Sequence, residues 1–526
     1  MHPDVVVVGC GPVGAVTANL LGARGVRTLV VERSTAPHQQ PRAFSCDDEA
    51  LRVYQQAGLR DEVARDMYAP PTVEYVDGAG RPFATIALDE IDFGLGSEPL
   101  HFFDQPRLEA TLRAGFDRYP HVDLRLGVEL TELAQDGDGI TVGLRDTRTG
   151  ERSTIRARYV LGCDGARSTT RTAAGIRLGG TSYEEPWLAV SGDVAPGGVR
   201  QPTTRFVCDW RRPAFVSPGA FGTHRLEFML RDGETAEAMT RRETIDALVA
   251  PYVDPARFTV TRAIVYTFHQ LVAERWRDGR VFLLGDAAHQ MPPFLGQGLC
   301  SGLRDAANLT WKLALVLDGG ADDTILDSYE TERRPHTEEM AVTSVRLGRV
   351  FLVRNRSAAT LRDAALRAVQ TVPRIRRFVR HFEFKPAPAV RRGLLAGGTG
   401  KAPVGVMFPQ PSVLVAGRAA PCPLDDVLGT GFAVIGPAVG PATAAEWAGP
   451  PATFLRVLPA GAVPGPGDVV DADGVLGAWF DRHRIGLAVL RPDRFVYGTS
   501  LVAGPPAWVR SPRRATPATP PAPAPS

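Results

Sequence analysis

The sequence predicts a multidomain α/β protein in which a β-sheet domain interrupts an α/β domain and a third module follows. Three observations carry this reading. The chain opens as strand, glycine-rich turn, helix and strand. From about Pro186 to Tyr266 the pattern changes to extended segments broken by proline and glycine. A short apolar strand at Arg280–Leu284 then restores the opening style ahead of long helical stretches. A chain of 526 residues, at roughly 100–200 residues per domain, should hold two to four domains. The division expected is 1–185 and 276–390 for the interrupted α/β domain, 186–275 for the inserted β-rich domain, 391–504 for the third module and 505–526 for a tail.

Each element follows from local pattern. Asp4–Val8 is a short, continuously apolar run, suited to a strand buried on both faces. Pro12–Arg24 reads as an apolar helix, and Thr28–Val31 as the second strand, ending at Glu32. Asp47–Ala57 should be helical, with Asp47 and Asp48 in the first turn, where acids favour the helix dipole. Thr72–Ile86 is strand-like around a Gly78-Ala79-Gly80 turn, Pro106–Tyr119 helical, and Val122–Gly162 alternating β-structure closed by a strand at Arg158–Leu161. Extended segments at Thr204–Cys208 and Arg225–Leu230 lie in the inserted domain. Helices are expected over Leu299–Leu317, Asp323–Leu347 and Ala358–Val372. In the third module Phe432–Ile435, Phe454–Val457 and Gly486–Leu490 read as strands and Val475–His483 as a helix. Pro505–Ser526 is rich in proline and alanine and is expected to be disordered.

Composition excludes several classes. Lys+Arg number 60 and Asp+Glu 58, a formal charge of +2, without the basic excess of a nucleic-acid binder. Only three basic residues are lysine: Lys312, Lys385 and Lys401. The arginine bias is read as background, and it weakens any argument resting on one arginine. The six cysteines are dispersed, with no CxxC pair and no metal-ligand spacing, so no metal site is expected. With no basic segment ahead of Val5–Val8 and no apolar stretch of membrane-spanning length, a reduced cytoplasmic protein without a membrane partner is expected.

Gly9-Cys10-Gly11-Pro12-Val13-Gly14 is a G-x-G-x-x-G turn between a strand and a helix. Gly9 permits the tight turn, Gly11 lets backbone approach a pyrophosphate, and Gly14 lets helix and sheet pack closely. The helix start offers N–H groups to phosphates, and Glu32, 18 residues beyond Gly14, suits ribose hydroxyls. This is a Rossmann-like dinucleotide unit; the motif alone leaves NAD and FAD both open. Two later motifs bear on that choice. Gly162-Cys163-Asp164-Gly165 follows one strand, and Gly285-Asp286-Ala287-Ala288-His289 follows another. Asp286 stands at a strand end, where it can accept from a polyol or ribose. Gly296 and Gly298 permit close approach just before a helix start whose positive end suits a reduced flavin. His289 reads as a packed member of its motif. Gly400-Lys401 fails the phosphate-loop pattern at Leu395 and Ala402.

Together these motifs resemble the group A FAD-dependent aromatic hydroxylases, with a para-hydroxybenzoate hydroxylase-like fold. The resemblance is strongest to the 3-(3-hydroxyphenyl)propionate hydroxylases. It is carried further by Pro41-Arg42-Ala43, Asp47-Asp48-Glu49-Ala50-Leu51-Arg52, Tyr329–Arg334, Phe384-Lys385-Pro386 and Arg491-Pro492-Asp493-Arg494-Phe495-Val496. It implies bound FAD, NADH or NADPH and O2 as co-substrates, and oxygen transfer to a phenolic ring from a flavin C4a-hydroperoxide. On this chain it would place Gly9, Gly11, Gly14, Glu32 and Arg33 at the ADP half of FAD. Arg42 and Gln105 match further FAD contacts, and Asp164 a motif tied to both FAD and the nicotinamide. Asp286 would meet the ribityl or pyrophosphate region, and Pro293, Gly296, Gly298 and Leu299 the ring. The third module resembles the thioredoxin-like domain of phenol hydroxylase relatives. With only Cys422 it lacks a redox pair, so it reads as a packing or homodimer contact.

The chain departs from that family in one place. Phenol hydroxylase-like enzymes carry an aspartate two residues beyond the arginine of the Arg-Ala pair, and this sequence has Phe44 there. The phenol-activating group is therefore open, with Asp48 and Tyr266 as candidates. Tyr266 resembles a phenol-contacting tyrosine, and Arg211 or Arg212 could hold a substrate carboxylate through a bidentate fork. The partner expected is a small aromatic molecule. Epoxidation or Baeyer–Villiger oxidation on the same flavin, and an NAD-dependent dehydrogenase, are the competing readings.

Overall fold

The computed structural model describes residues 2–36, 43–396, 403–501 and 508–509. Val5–Val8 is buried along its whole length, which requires cover on both faces and so a parallel sheet. It pairs in parallel with Thr28–Glu32 on one side and with Tyr159–Gly162 on the other. Val122–Leu126 and Val281–Leu283 extend those two sides in parallel, and Arg277–Asp278 adds a short antiparallel edge. The helices Pro12–Gly22 and Gln297–Leu317 pack together on this sheet. At their crossing a side chain on Gly302 would come within 2.6 Å of Val13 Cγ2 and 3.0 Å of Gly285 Cα. The glycine therefore lets the helix settle against both the first helix and the turn carrying Asp286.

The inserted sheet has eight strands, and it draws on more chain than 186–275. Its central strand, Leu178–Val194, starts ahead of that span. The hairpin of Thr72–Val76 and Pro82–Ala87 joins its far edge through parallel pairing with Thr204–Val207. Strand pairing over such separations is a tertiary choice that local alternation does not encode. The two faces differ. Leu188, Val190, Leu226 and Phe228 bury one face together with Ile245 and Val249 of the helix Arg242–Val249. The residues between them face the first domain.

The third module holds a seven-stranded mixed sheet. Phe432–Gly436, Ala452–Pro459 and Asp468–Asp471 run parallel, with antiparallel strands on both flanks and Val475–His483 as its long helix. Buried ion pairs bolt it to the first domain. Arg52 donates to both oxygens of Asp425 at 2.7 and 2.8 Å and to the Phe408 carbonyl at 2.5 Å. Glu332 sits between Arg491 at 2.6 Å and Lys312 at 2.8 Å. Two tail residues have a defined place: the Trp508 ring stacks on Phe432, and Val509 bridges to Ala321. The rest of the tail, like Arg42 and Lys401, lies outside the described residues. All six cysteines are free and buried. No described helix is long and apolar enough to cross a membrane.

Candidate active site

A cavity of about 900 Å³ lies between the first domain and the inserted sheet. Its first end is the glycine turn. Gly9 has φ +96°, and a side chain there would strike the Cys163 carbonyl at 2.6 Å. A side chain on Gly14 would lie 2.0 Å from the Gly9 carbonyl, so only glycine lets this helix start so close to the strand. At Gly11, by contrast, a side chain would meet no protein atom within 4 Å. Gly11, Pro12 and Val13 line the cavity, and the helix start has no side-chain cap. Glu32 accepts from the N–H of Cys10 at 2.8 Å and of Ser34 at 2.9 Å, fixing its carboxylate beside the turn. Arg33 is exposed just past it. Arg113, which the sequence did not single out, donates to the Cys10 carbonyl at 2.9 Å and so braces the same turn.

The middle of the cavity is built from chain turns. Asp286 lines it from a single turn of 3-10 helix, Gly285–Ala287, directly after the strand Val281–Leu283. Behind it Asp305 accepts from the Gly285 N–H at 3.1 Å, from Arg333 at 3.0 Å and contacts His289 Nε2 at 2.7 Å. Burial acts to raise the Asp305 carboxyl, but His289 and Arg333 outweigh it and hold it below its ordinary value. His289 is thus packed in its motif. Asp164 shapes its own loop: it accepts from Ser168 Oγ at 2.5 Å and from Thr170 N and Oγ1 at 2.8 and 3.0 Å. Gly165, Ala166 and Arg167 line the cavity instead. Gln105 also lines it, accepting from the Ala43 N–H at 2.9 Å and donating to Glu109 at 2.8 Å.

Pro293, Gly296, Gly298 and Leu299 lie together on the wall. Gly296 takes φ +67° and begins the 21-residue helix Gln297–Leu317 with no side-chain cap. The positive end of a long helix therefore opens into the cavity. Beneath it is a buried charge cluster. Asp47 caps the helix Asp48–Gln56 through the Ala50 N–H at 3.0 Å. Arg304 pairs with Asp47 and with Glu49 (2.7 Å), and Lys385 with Asp47 (3.1 Å) and Asp48 (3.0 Å). Gln297 bridges Arg304 and Asp47. Asp47, Lys385 and Gln297 reach the cavity wall; Asp48 does not. The three carboxylates sit close enough to share a metal ion, but the cations that answer them are these two side chains. Burial pushes the Asp48 carboxyl up to about 6 against the pull of Lys385. For Asp47 burial is outweighed by Arg304 and Lys385, which hold it far below the usual range. Asp48 is therefore a buried partner of Lys385, one layer behind the wall.

The far end is the cavity-side face of the inserted sheet. Tyr75, Trp187, Phe206, Phe215, Phe268 and Phe294 line it with Phe44 and Phe102, whose rings stack 4.5 Å apart. Among these apolar rings stand Arg225, Glu227, Arg262 and Tyr266. Tyr266 Oη donates to Glu227 at 2.9 Å, and Arg225 Nε donates to the other oxygen of Glu227 at 2.8 Å. Burial, reinforced by Glu227, pushes the Tyr266 phenol well above its ordinary value, so it keeps its proton. Arg212 is not part of this wall. It is held by Glu234 and by the Met229 carbonyl at 2.8 Å. The reason is positional: Arg212 lies in the turn before the strand Ala214–Pro218, next to an acid that neutralises it. Sequence reasoning found Tyr266 and missed Arg225, Glu227 and Arg262; their alternation along the strands was the available signal.

An extended site that begins at a dinucleotide turn, passes an uncapped helix start and ends in an aromatic chamber defines a flavin-dependent monooxygenase. The chain belongs to the FAD binding domain family, whose model matches residues 2–344. The HcaD C-terminal domain model matches residues 405–514. The chain is 40% identical to a 3-(3-hydroxy-phenyl)propionate/3-hydroxycinnamic acid hydroxylase of Burkholderia cenocepacia (strain HI2424), covering 95% of this chain and 94% of that one. It is 39% identical to the same-named enzyme of Mycobacterium sp. (strain JLS), over 95% and 89%. In fold it matches the flavin-dependent monooxygenase PieE, solved with FAD and substrate, with a TM-score of 0.79 over 95% of this chain and 96% of that one, at 22% identity. The protein is an FAD-dependent aromatic hydroxylase with NAD(P)H and O2 as co-substrates.

Proposed function

We propose that this enzyme hydroxylates a phenolic acid of the hydroxyphenylpropionate or hydroxycinnamate type. FAD would lie from the Gly9–Gly14 turn to the helix start at Gly296–Leu299. The carrying observation is one continuous cavity that joins the open space at Gly11 to the aromatic face holding Tyr266 and Glu227. Gly9, Gly11 and Gly14 would admit the pyrophosphate to the first helix start, and Glu32 would take the ribose hydroxyls, with Arg33 exposed just past it; Arg42 keeps the role that the family resemblance gives it. Gln105 and Asp286, which line the middle of the cavity, would hold the middle of the cofactor. Gly298 and Leu299 would present backbone N–H groups to the ring, with Gly296 giving close approach, and Pro293 shapes the turn before them by accepting the Gly296 N–H at 2.9 Å. When bound, FAD supplies the redox chemistry that couples NAD(P)H oxidation to oxygen insertion. The protein contributes the rest: the aromatic wall excludes water, the helix start stabilises negative charge, and Tyr266 positions the substrate hydroxyl. Asp164 supports the Gly165–Arg167 loop that borders the same space. We assign Asp48 no contact with the reacting atoms.

The test is a screen of phenolic acids for stimulated NADH or NADPH oxidation by the yellow, FAD-loaded protein, followed by product analysis under labelled O2. One labelled atom retained on the ring is the expected result. Oxidation that yields only hydrogen peroxide with every phenolic acid, or a lactone or ester product, would overturn the proposal.

A further inference from the structure

A helix on a globular protein is normally held by burying an apolar stripe while its charges face water. Two successive helices here do the reverse. Of Arg356–Val369 and Pro373–Arg380, only Ala359 is buried. Arginines pin them to the inserted sheet and its edge hairpin. Arg362 donates to the Cys208 carbonyl at 2.7 Å, Arg367 pairs with Asp77, and Arg380 donates to Glu90 at 2.7 Å. The large apolar side chains are turned outward. Leu361 is 71% exposed and Phe378 44%, and Val369, Val372 and Ile375 are exposed with them. Ile375 and Phe378, three apart, share one face of the second helix. Of the fourteen large apolar side chains exposed among the described residues, seven lie between Val342 and Phe378. The same stretch lacks acids. Over the whole chain 58 of 526 residues are acidic, about four in every forty. In the forty residues Val342–His381 the one acid is Asp363, against ten arginines. This segment therefore carries +9 of a chain whose total is +2, and the remainder carries −7. A preference for arginine over lysine cannot produce that, because it leaves the balance of acid and base unchanged. Arg354 pairs with Asp232 and Arg377 with Glu383. Among the described residues Arg346, Arg349, Arg356, Arg374 and Arg376, all exposed, have no acid partner.

An outward apolar face among unpaired cations calls for an occupant that is both anionic and apolar. A symmetric second copy would set the +9 segment against itself. The chain's own end does not match either, since residues 505–526 carry Arg510, Arg513 and Arg514 and no acid. Nucleic acid would answer the arginines but leave Leu361, Ile375 and Phe378 in water. An anionic bilayer answers both, with phosphates at the level of the guanidinium groups and hydrocarbon just beneath. We propose that the helices Arg356–Val369 and Pro373–Arg380 form a docking surface for an anionic phospholipid membrane, with Leu361, Ile375 and Phe378 entering the headgroup layer and Arg374 and Arg376 on its phosphates. A helix lying in the interface needs no membrane-spanning stretch, so this departs from the expectation of no membrane partner that was drawn from span length. The negative remainder of the chain is repelled by the same membrane, which fixes the orientation. A line of rings joins the surface to the cavity: Phe378 lies 6.1 Å from Phe384, and Phe384 4.9 Å from Phe382, which lines the cavity wall. Docking would thus set the aromatic chamber beside the headgroup layer.

The test sediments the full-length, FAD-loaded protein with vesicles of phosphatidylcholine alone and of equal parts phosphatidylcholine and phosphatidylglycerol, at low salt and at about 0.5 M salt. At low salt the protein should pellet with the anionic vesicles and stay in solution with the neutral ones, and salt should weaken the binding. Arg374→Gln combined with Arg376→Gln should lower partitioning about twenty- to thirtyfold, since each cation near an anionic surface is worth roughly fivefold. Ile375→Ser combined with Phe378→Ser leaves the charge unchanged and should lower it at least about tenfold through lost apolar burial. All four side chains are exposed, so bound flavin and melting temperature should stay near wild type. If either pair fails that check, the lipid and salt dependence of the wild type still decides. No pelleting with anionic vesicles, equal pelleting with neutral ones, or wild-type partitioning by the folded serine pair would overturn the inference. So would a dimer, seen by light scattering without lipid, that the serine pair dissociates; that result would give the face to a second copy. Duplex DNA binding in place of vesicle binding would give it to nucleic acid. Each of these outcomes leaves the hydroxylase reading intact, because vesicle binding does not depend on it.

Discussion

Replacing Lys385 by methionine should destabilise the enzyme strongly, and more at pH 8 than at pH 5.5. The Lys385 side chain is 5% exposed, and its ammonium lies 3.0 Å from Asp48, 3.1 Å from Asp47 and 3.8 Å from Glu49. Among the described residues, Arg304 is the only other cation paired with this trio. Methionine keeps the length and removes the charge, leaving three buried carboxylates against one guanidinium. Removing one partner of a buried pair costs about 3–5 kcal/mol. The pH dependence follows from Asp48. Its carboxyl is raised from 3.8 to about 6, burial first and Lys385 opposing. A raised carboxyl contributes stability that is fully present below its unfolded value and lost as pH rises through the folded value. In the variant the opposing lysine is gone, so Asp48 rises further and takes a proton that the wild type gives up near pH 6. At pH 8 the deficit is full. At pH 5.5 wild-type Asp48 is itself largely protonated and has already lost much of its attraction to Lys385, so the deficit should fall to about half. Asp47, held far below the usual range, supplies the remainder. Urea midpoints of the FAD-saturated proteins, followed by circular dichroism at both pH values with the slope checked, measure this. A deficit equal at the two pH values, or below about 1 kcal/mol at pH 8, would refute the charge-balance argument.

Three further outcomes are expected. Gly11→Ala should fold with a near-wild-type melting temperature and lose bound FAD, because the added methyl meets no protein atom but enters the cofactor's space; Gly14→Ala, 2.0 Å from the Gly9 carbonyl, should fail to accumulate as folded protein. Bound flavin and thermal melting separate the two. Asp286→Ala should weaken FAD binding by at least about tenfold, read as flavin released on dilution; unchanged flavin content and activity would count against its role. Arg52→Leu leaves buried Asp425 with Arg494 as its remaining ion-pair partner at 3.3 Å, a loss of about 3–5 kcal/mol. Limited proteolysis should then cut the connection to the third module faster, with flavin retained.

How much of this was legible in the sequence depended on how local each interaction is. The glycine turn, Asp286 and the Gly296–Leu299 helix start are set by residues within a few positions of one another, and they could be read directly. Arg225, Glu227 and Tyr266 could not be joined, because their meeting depends on which strands flank Leu178–Val194 and on Ala189 being small. Arg212 misled for the converse reason: its residue type suited a carboxylate, but Glu234 had already claimed it. The lysines show what composition did hold. Lysine is among the residues least often fully buried, yet in this arginine-rich chain two of its three lysines are buried in ion pairs. Lys312 sits at Glu332, and Lys385 at Asp47, Asp48 and Glu49. Lys385 answers a crowded corner where one compact ammonium faces three carboxylates, a geometry that a planar guanidinium does not match. The arginine bias carried no functional information, but the exceptions to it marked both the charge cluster under the cavity and the seam to the third module.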